Sequence, residues 1–149
     1  IKKIHVIICS DGPELEKIKN SVASDLRLKK IFTFLKKVNQ INLPEIYALG
    51  DVFVFPSREE PLGLVGIEAL TCGLPVIGTE IGGIKDYLVD NFNGLLFAPE
   101  NSNQLAKKIS ALINKPDHLE YLKTNTKKDL NEFYIDHTSI QLKNIFSNF

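Results

Sequence analysis

The sequence contains no tryptophan, no methionine and only two cysteines among its 149 residues. Cys9 and Cys72 each lie in an apolar run, which predicts buried, reduced thiols of a cytoplasmic protein rather than a disulfide framework. No apolar run approaches the roughly 18 residues that span a bilayer, and no signal-peptide pattern is present. Apolar residues still make up 44% of the chain, enough for a hydrophobic core without disulfide or metal staples.

Net charge is also absent, because 18 Lys and Arg residues balance 18 Asp and Glu residues. This balance argues against a generally basic nucleic-acid binder and against an acidic disordered tail. The distribution is uneven, with nine basic and four acidic residues in 1–40 but two basic and eight acidic residues in 41–99. The basic third is a candidate for peripheral contact with the inner face of a membrane, although a solvated face explains it more simply.

The chain starts at Ile1 and has no methionine, so we expect a piece of a longer protein. Its short apolar runs predict strands at His5–Cys9, Ile31–Leu35, Asp51–Phe55, Pro75–Gly78 and Gly94–Phe97. Apolar residues spaced three and four apart predict helices at Glu14–Val22, Pro44–Leu49, Leu64–Cys72, Ser102–Asn114, Asp117–Phe133 and Thr138–Phe146. A short turn or helix is predicted at Ile84–Val89. This alternation indicates one α/β domain over 1–149, with a Rossmann-like parallel sheet flanked by helices.

Glycines mark several of the predicted boundaries. Gly73 follows the helix over Leu64–Cys72 and is predicted to end it in a left-handed conformation, and Pro75 prevents its continuation. Asn93 and the glycine after it form a turn signal before the last predicted strand.

The connection after the strand Asp51–Phe55 carries the most informative chemistry. In open parallel sheets, ligands bind at the carboxyl ends of the strands, and the next helix is predicted to start near Gly63 or Leu64. The first amides of that helix have no intrahelical acceptors and suit an anion such as phosphate. Glu60 and Glu68 flank this start, and a carboxylate can accept two sugar hydroxyls at once. Taken singly, each glutamate is explained more simply by helix stability. The spacing and context of the pair favour a binding role.

A second connection, after Pro75–Gly78, contains the glycine pair Gly82 and Gly83. Paired glycines permit positive φ and can present consecutive amides to an anion. A plain tight turn explains the pair as well. The functional interpretation depends on adjacent strands bringing this turn beside Gly63.

No metal site is predicted. The sequence has no Asp-x-Asp pair and no cluster of His, Cys and Asp residues. His5, His118 and His137 are scattered and are predicted to be structural or exposed.

Several motifs in order resemble the retaining glycosyltransferases of family 4. The resemblance rests on the run Asp51–Ser57, the Glu-x7-Glu spacing of Glu60 and Glu68, the stretch Glu68–Ile77, the pair Gly82-Gly83 and the stretch Asn93–Leu96. Upstream, Ser10-Asp11-Gly12-Pro13 is similar to the Gly-Asp-Gly-Pro turn of the family, with Ser10 in place of the first glycine. The resemblance covers about residues 4–114.

This resemblance implies the C-terminal, nucleotide-sugar-binding half of a GT-B enzyme. It implies that Glu60 is the candidate catalytic residue, holding hydroxyls of the donor hexose, and that Glu68 holds the ribose. It places the donor sugar or diphosphate against the amides of Gly63, Leu64 and Val65, and assigns donor binding also to Gly82, Gly83, Lys37 and Val38, the last two facing the nucleobase.

The implied reaction is transfer of a hexose with retention from a donor such as UDP- or GDP-hexose, with no cofactor and no obligatory metal. The implied acceptor is a glycan or lipid bound by an N-terminal domain absent from this chain, in cell-envelope polysaccharide or glycolipid synthesis. Lys36 stands where the family commonly has glycine. The family usually places an Arg and a Lys against the diphosphate in a segment upstream of the first strand, and no equivalent precedes Ile4 in this sequence. We therefore expect this chain alone to bind donor weakly and to be inactive.

Three alternatives share the α/β pattern. A receiver-like or ligand-binding module would need a phospho-acceptor Asp at the end of the third strand, where Pro56 and Ser57 stand instead. A Rossmann dehydrogenase would need G-x-G-x-x-G after the first strand, which is not present. A GT-B epimerase or phosphorylase would share both fold and donor cleft.

Overall fold

The computed structural model describes residues 4–128, 130 and 133. The chain divides into two compact units, residues 1–43 and 44–149, which are described separately. The predicted helix Thr138–Phe146 lies outside the described residues. None of the helices within the described residues has the length and apolar character needed to cross a bilayer.

The first unit contains a two-stranded parallel sheet. Strand β1 (Val6–Cys9) pairs with β2 (Phe32–Leu35), with Val6 opposite Phe32. Helices α1 (Leu15–Ala23) and α2 (Leu26–Lys29) connect the two strands, and a 3-10 turn (Gln40–Asn42) follows β2. Helix α2 was not predicted from the sequence; at its start the Asp25 side chain caps the helix by accepting the Arg27 amide at 2.8 Å.

The second unit contains a three-stranded parallel sheet in the order β3-β4-β5. The strands are β3 (Phe53–Phe55), β4 (Val76–Thr79) and β5 (Gly94–Phe97). The helices are α3 (Leu43–Ala48), α4 (Leu64–Thr71), α5 (Ser102–Asn114) and α6 (Pro116–Asn125), with a 3-10 helix at Gly82–Asp86. All four residues of the central strand β4 are buried, as a strand covered on both faces requires.

One core cluster of the second unit forms between its sheet and its last two helices. The buried apolar side chains of this cluster come from β4, β5, α5 and α6: Ile77, Leu95, Phe97, Leu112 and Leu122. Leu70 and Ile84 are also fully buried in this unit but lie outside this cluster. The parallel pairing and the flanking helices confirm the predicted α/β fold class.

Helix α4 ends as predicted. Gly73 has φ of +83°, its amide donates to the Leu70 carbonyl at 2.9 Å, and the Leu74 amide donates to the Ala69 carbonyl at 2.9 Å. This pair of hydrogen bonds is the Schellman motif, which favours glycine because a Cβ disfavours the left-handed conformation. The chain then enters β4 directly.

Helix α6 is shorter than the predicted helix Asp117–Phe133. At the end of α6, polar side chains compete with the backbone for helical carbonyl groups. The side-chain Nδ2 of Asn125 donates to the Tyr121 carbonyl at 2.8 Å, and the Thr126 hydroxyl donates to the Lys123 carbonyl at 3.0 Å. Both polar residues are buried.

The predicted burial of the two cysteines is wrong. Cys9 and Cys72 are both free thiols with exposed side chains. Strand β1 alternates between half-buried and exposed residues, so Cys9 falls on its exposed face although its neighbours in sequence are apolar. Cys72 follows the last residue of α4 as its C-cap.

Candidate functional site

Helix α4 starts where the sequence predicts. Gly63 is its N-cap and has φ of +80°, a conformation that favours glycine. A Cβ at this position would also lie 2.6 Å from Cε1 of Phe55. The Gly63 carbonyl accepts two hydrogen bonds, from the Gly66 amide at 2.8 Å and from the Tyr87 hydroxyl at 2.9 Å. The backbone at the helix start is therefore held from both sides.

The amides of the first turn are available for a ligand. The Gly66 amide is used by the Gly63 carbonyl, whereas the amides of Gly63, Leu64 and Val65 have no acceptor among the described residues. Leu64 and Val65 are exposed, and no acidic side chain lies in the first turn. The positive end of the helix dipole adds to these donors, so the arrangement suits an anion.

The two predicted glutamates lie at this same helix. Glu68 is half-buried on α4, and its Oε2 accepts a hydrogen bond from the Tyr47 hydroxyl at 3.1 Å. Glu60 is half-buried in the loop ahead of α4, where its Cγ lies 3.1 Å from the position that a Cβ would take at Gly63. Among the described residues, no hydrogen-bond or ion-pair partner faces the Glu60 carboxylate.

The glycine pair packs directly against that loop. A Cβ at Gly82 would overlap the Glu60 carbonyl oxygen, and a Cβ at Gly83 would overlap the Pro61 carbonyl oxygen. Gly82 has φ of +44°, and the Gly83 amide donates to the Pro61 carbonyl at 3.1 Å. The expected proximity of the two connections is confirmed. The expectation of two consecutive free amides is corrected for Gly83, because its amide already has an acceptor.

Tyr87 also belongs to the candidate site and was not predicted from the sequence. It is 2% exposed, and its hydroxyl donates to the Gly63 carbonyl. A Cβ at Gly66 would overlap this hydroxyl, so the glycine inside α4 makes room for the ring. Burial, and then the negative charge of Glu60, raise the pKa of the Tyr87 phenol well above its usual value. The available signal was Gly66, since a glycine inside a helical pattern indicates close packing.

The Tyr87 backbone is fixed by a buried asparagine. Asn93 is 1% exposed, its Nδ2 donates to the Tyr87 carbonyl at 2.8 Å, and its Oδ1 accepts the Val89 amide at 2.8 Å. The turn predicted at Asn93 therefore also supports the candidate site.

Lys37 and Val38 lie in the first unit, after β2. Lys37 is exposed and forms a 3.9 Å ion pair with Asp11, and Val38 is half-buried. In the turn after β1, the Gly12 amide donates to Oγ of Ser10 at 3.1 Å. Both segments follow the carboxyl ends of paired parallel strands. Contact of Lys37 and Val38 with a nucleobase stays a prediction.

Among the described residues, no group of three or more His, Cys, Asp and Glu side chains comes together. Arg58, the cationic residue of the loop ahead of α4, pairs with Glu100 at 3.3 Å, and both side chains are exposed.

Comparison with known proteins identifies relatives over most of the chain. The family described as glycosyl transferases group 1 matches residues 1–129. An uncharacterised glycosyltransferase of Methanocaldococcus jannaschii is 35% identical over 101 residues, which cover 68% of this chain and 26% of that protein.

Two solved structures share the fold. Sucrose-phosphate synthase from Thermosynechococcus elongatus has a TM-score of 0.84 and 29% identity, covering 95% of this chain and 37% of that one. Anabaena HepE in complex with UDP and glucose has a TM-score of 0.78 and 25% identity, covering 97% of this chain and 41% of that one. The chain thus spans about a quarter to two fifths of the proteins it matches.

The close packing of the two connections predicts that Gly83→Ala destabilises the protein. The new methyl group would meet the Pro61 carbonyl oxygen and the Leu62 Cα, which are backbone atoms and cannot turn aside. We expect a loss of about 1–3 kcal/mol in the free energy of unfolding, measured by urea denaturation. Gly50→Ala is the control, since its Cβ would lie 3.4 Å from the Leu74 side chain. Equal losses in the two variants would contradict the proposed backbone contact.

The raised pKa of Tyr87 predicts a pH-dependent part of the stability. Above about pH 10 the unfolded chain releases the phenol proton while the folded chain retains it, so stability falls as the pH rises. Tyr87→Phe removes this contribution, and we expect a shallower decline between about pH 9 and pH 11 in urea midpoints. Tyr121→Phe, at a half-exposed ring on α6, should retain the wild-type slope. Parallel slopes for wild type and Tyr87→Phe would refute the assignment.

Proposed function

Since the chain belongs to the group 1 glycosyltransferases, we propose that it binds the nucleoside-diphosphate sugar of an enzyme that transfers a hexose with retention of configuration. The observation that carries this proposal is the start of α4. Three amides without acceptors among the described residues stand there beside Glu60 and Glu68. A nucleotide sugar has the matching groups: an anionic diphosphate between two sets of vicinal hydroxyls.

The proposed roles follow from this match. The amides of Gly63, Leu64 and Val65 stabilise the charge that develops on the leaving diphosphate, and they need little reorganisation because the helix start is already held. Glu60 is the proposed catalytic residue and holds hydroxyls of the hexose as its bond to the diphosphate breaks. Glu68 holds hydroxyls of the ribose.

The remaining predicted residues have supporting roles. Gly82 and Gly83 let the connection after β4 pack against the backbone of Glu60 and Pro61. The Gly82 amide is proposed to lie near the donor. Lys37 and Val38 are proposed to face the nucleobase. HepE shares this fold, and its structure was solved in complex with UDP and glucose. This supports a uridine nucleotide as the first donor to test. We propose no resident cofactor and no metal in the reaction.

The acceptor belongs to the rest of the enzyme. Because the chain spans only part of its relatives, we propose that a glycan or lipid acceptor is bound by a further domain. The proposed setting is polysaccharide or glycolipid synthesis in the cytoplasm, at the inner face of the membrane. This chain alone is then expected to bind donor weakly and to show no turnover.

Nucleotide binding tests the proposal directly. We expect UDP, GDP or ADP to shift the amide NMR signals of Gly63, Leu64 and Val65 in a titration up to millimolar concentration. Signals of α5 serve as the internal control, because its buried residue Leu112 packs against Ile77 and Leu95 in the core. The absence of shifts with all three nucleotides would overturn the proposed function.

The two glutamates are expected to divide the donor between them. Glu68→Ala should weaken binding of the free nucleotide about tenfold, because it removes a charged hydrogen-bond acceptor of the ribose. Glu60→Ala should leave free nucleotide binding unchanged and weaken binding of the nucleotide sugar. The same titrations measure both constants. Equal loss of free nucleotide binding in the two variants would show that the assigned roles are wrong.

A further inference from the structure

Tyr47 is a buried tyrosine that contacts one of the proposed donor-binding residues. It lies on α3, is 8% exposed, and packs edge-on against the Phe53 ring of β3 at a centroid distance of 5.5 Å. Its hydroxyl reaches across to α4, where Glu68 Oε2 lies at 3.1 Å and the Val65 carbonyl oxygen at 3.3 Å.

The carboxylate is the stronger of these two acceptors. A hydroxyl has one proton, and a hydrogen bond to an ionised group is about twice as strong as one to a neutral group. Glu68 is also the closer partner. The Tyr47 proton is therefore donated to Glu68, and the Val65 carbonyl is a secondary contact.

This hydrogen bond restricts the orientation of the Glu68 side chain. An ionised carboxylate has about four acceptor positions on its two oxygens, and Tyr47 occupies one of them on Oε2. The positions that remain include both of those on Oε1. Holding one oxygen fixes the plane of the carboxylate, which removes rotational freedom that a ligand would otherwise have to restrict.

We propose that Tyr47 is a positioning residue whose hydroxyl orients the Glu68 carboxylate to accept both ribose hydroxyls of the donor nucleotide. The proposal rests on the proposed function, since it takes Glu68 as the ribose ligand. It adds a determinant of sugar specificity, namely selection of ribonucleotides over 2′-deoxyribonucleotides, by a residue that does not itself touch the donor.

The contacts of the Tyr47 hydroxyl with Val65 and with Glu68 predict different results for Tyr47→Phe. Loss of the Val65 contact would loosen the first turn of α4 and weaken all nucleotides equally. Loss of the Glu68 contact would weaken the ribonucleotide more than its 2′-deoxy counterpart, because only the former uses both hydroxyls. The ratio of the two dissociation constants therefore separates a positioning role from a merely structural one.

The experiment titrates the tightest-binding nucleotide of UDP, GDP and ADP, and its 2′-deoxy form, into this chain. We expect wild type to prefer the ribonucleotide about tenfold, and Tyr47→Phe to reduce that preference to about threefold or less. Tyr121→Phe is the matched control and should keep the wild-type ratio. Glu68→Asp, which withdraws the carboxylate from the Tyr47 hydroxyl by one methylene, should also reduce the ratio. An unchanged ratio in Glu68→Asp would overturn the inference even if Tyr47→Phe does not fold.

A double-mutant cycle completes the test. In a Glu68→Ala background, Tyr47→Phe should cause no further change in the ratio, because the group it acts through is gone. A wild-type ratio in Tyr47→Phe, or an undiminished effect in the Glu68→Ala background, would overturn the inference alone. Absence of nucleotide binding by wild type would overturn the proposed function and this inference with it.

Discussion

The candidate site depends on one backbone oxygen, the carbonyl of Gly63. It accepts hydrogen bonds from the Gly66 amide and from the buried Tyr87 hydroxyl, and the second of these links α4 to the connection after β4. Glycine adopts left-handed and right-handed backbone conformations about equally readily, so these hydrogen bonds help to select the left-handed one at the helix start. The direction in which the neighbouring amides point follows from the position of this oxygen.

Glycine has a packing role at several positions around this oxygen. Gly66 leaves room for the Tyr87 ring, and Gly82 and Gly83 let the backbone of one connection touch the backbone of the other. A Cβ atom at any of these glycines would overlap the group that now packs against it. Gly82 and Gly83, both predicted from the sequence to bind an anion, are therefore sites of close backbone approach.

The positive potential at the candidate site comes from backbone dipoles at the start of α4 rather than from an unpaired cation in the loop ahead of it. The loop ahead of α4 carries Glu59 and Glu60, and its cation Arg58 is paired with Glu100. The positive end of a helix is equivalent to about half a unit charge, which alone is small beside a diphosphate. The amides at the start of α4 are already oriented by the fold, so in the reaction we propose they stabilise developing charge without rearrangement.

The sequence by itself determined the elements whose signals are local: the helix start at Gly63, the helix stop at Gly73, and the parallel strands around them. Spacing also placed Glu60 and Glu68 at one helix. Only the tertiary structure decided that Tyr87 holds Gly63, that Tyr47 holds Glu68, and that Cys9 and Cys72 are exposed. The physical reason is that a turn or cap depends on neighbours within a few residues. A hydroxyl that reaches an acceptor 21 or 24 positions away depends instead on how helices and strands pack.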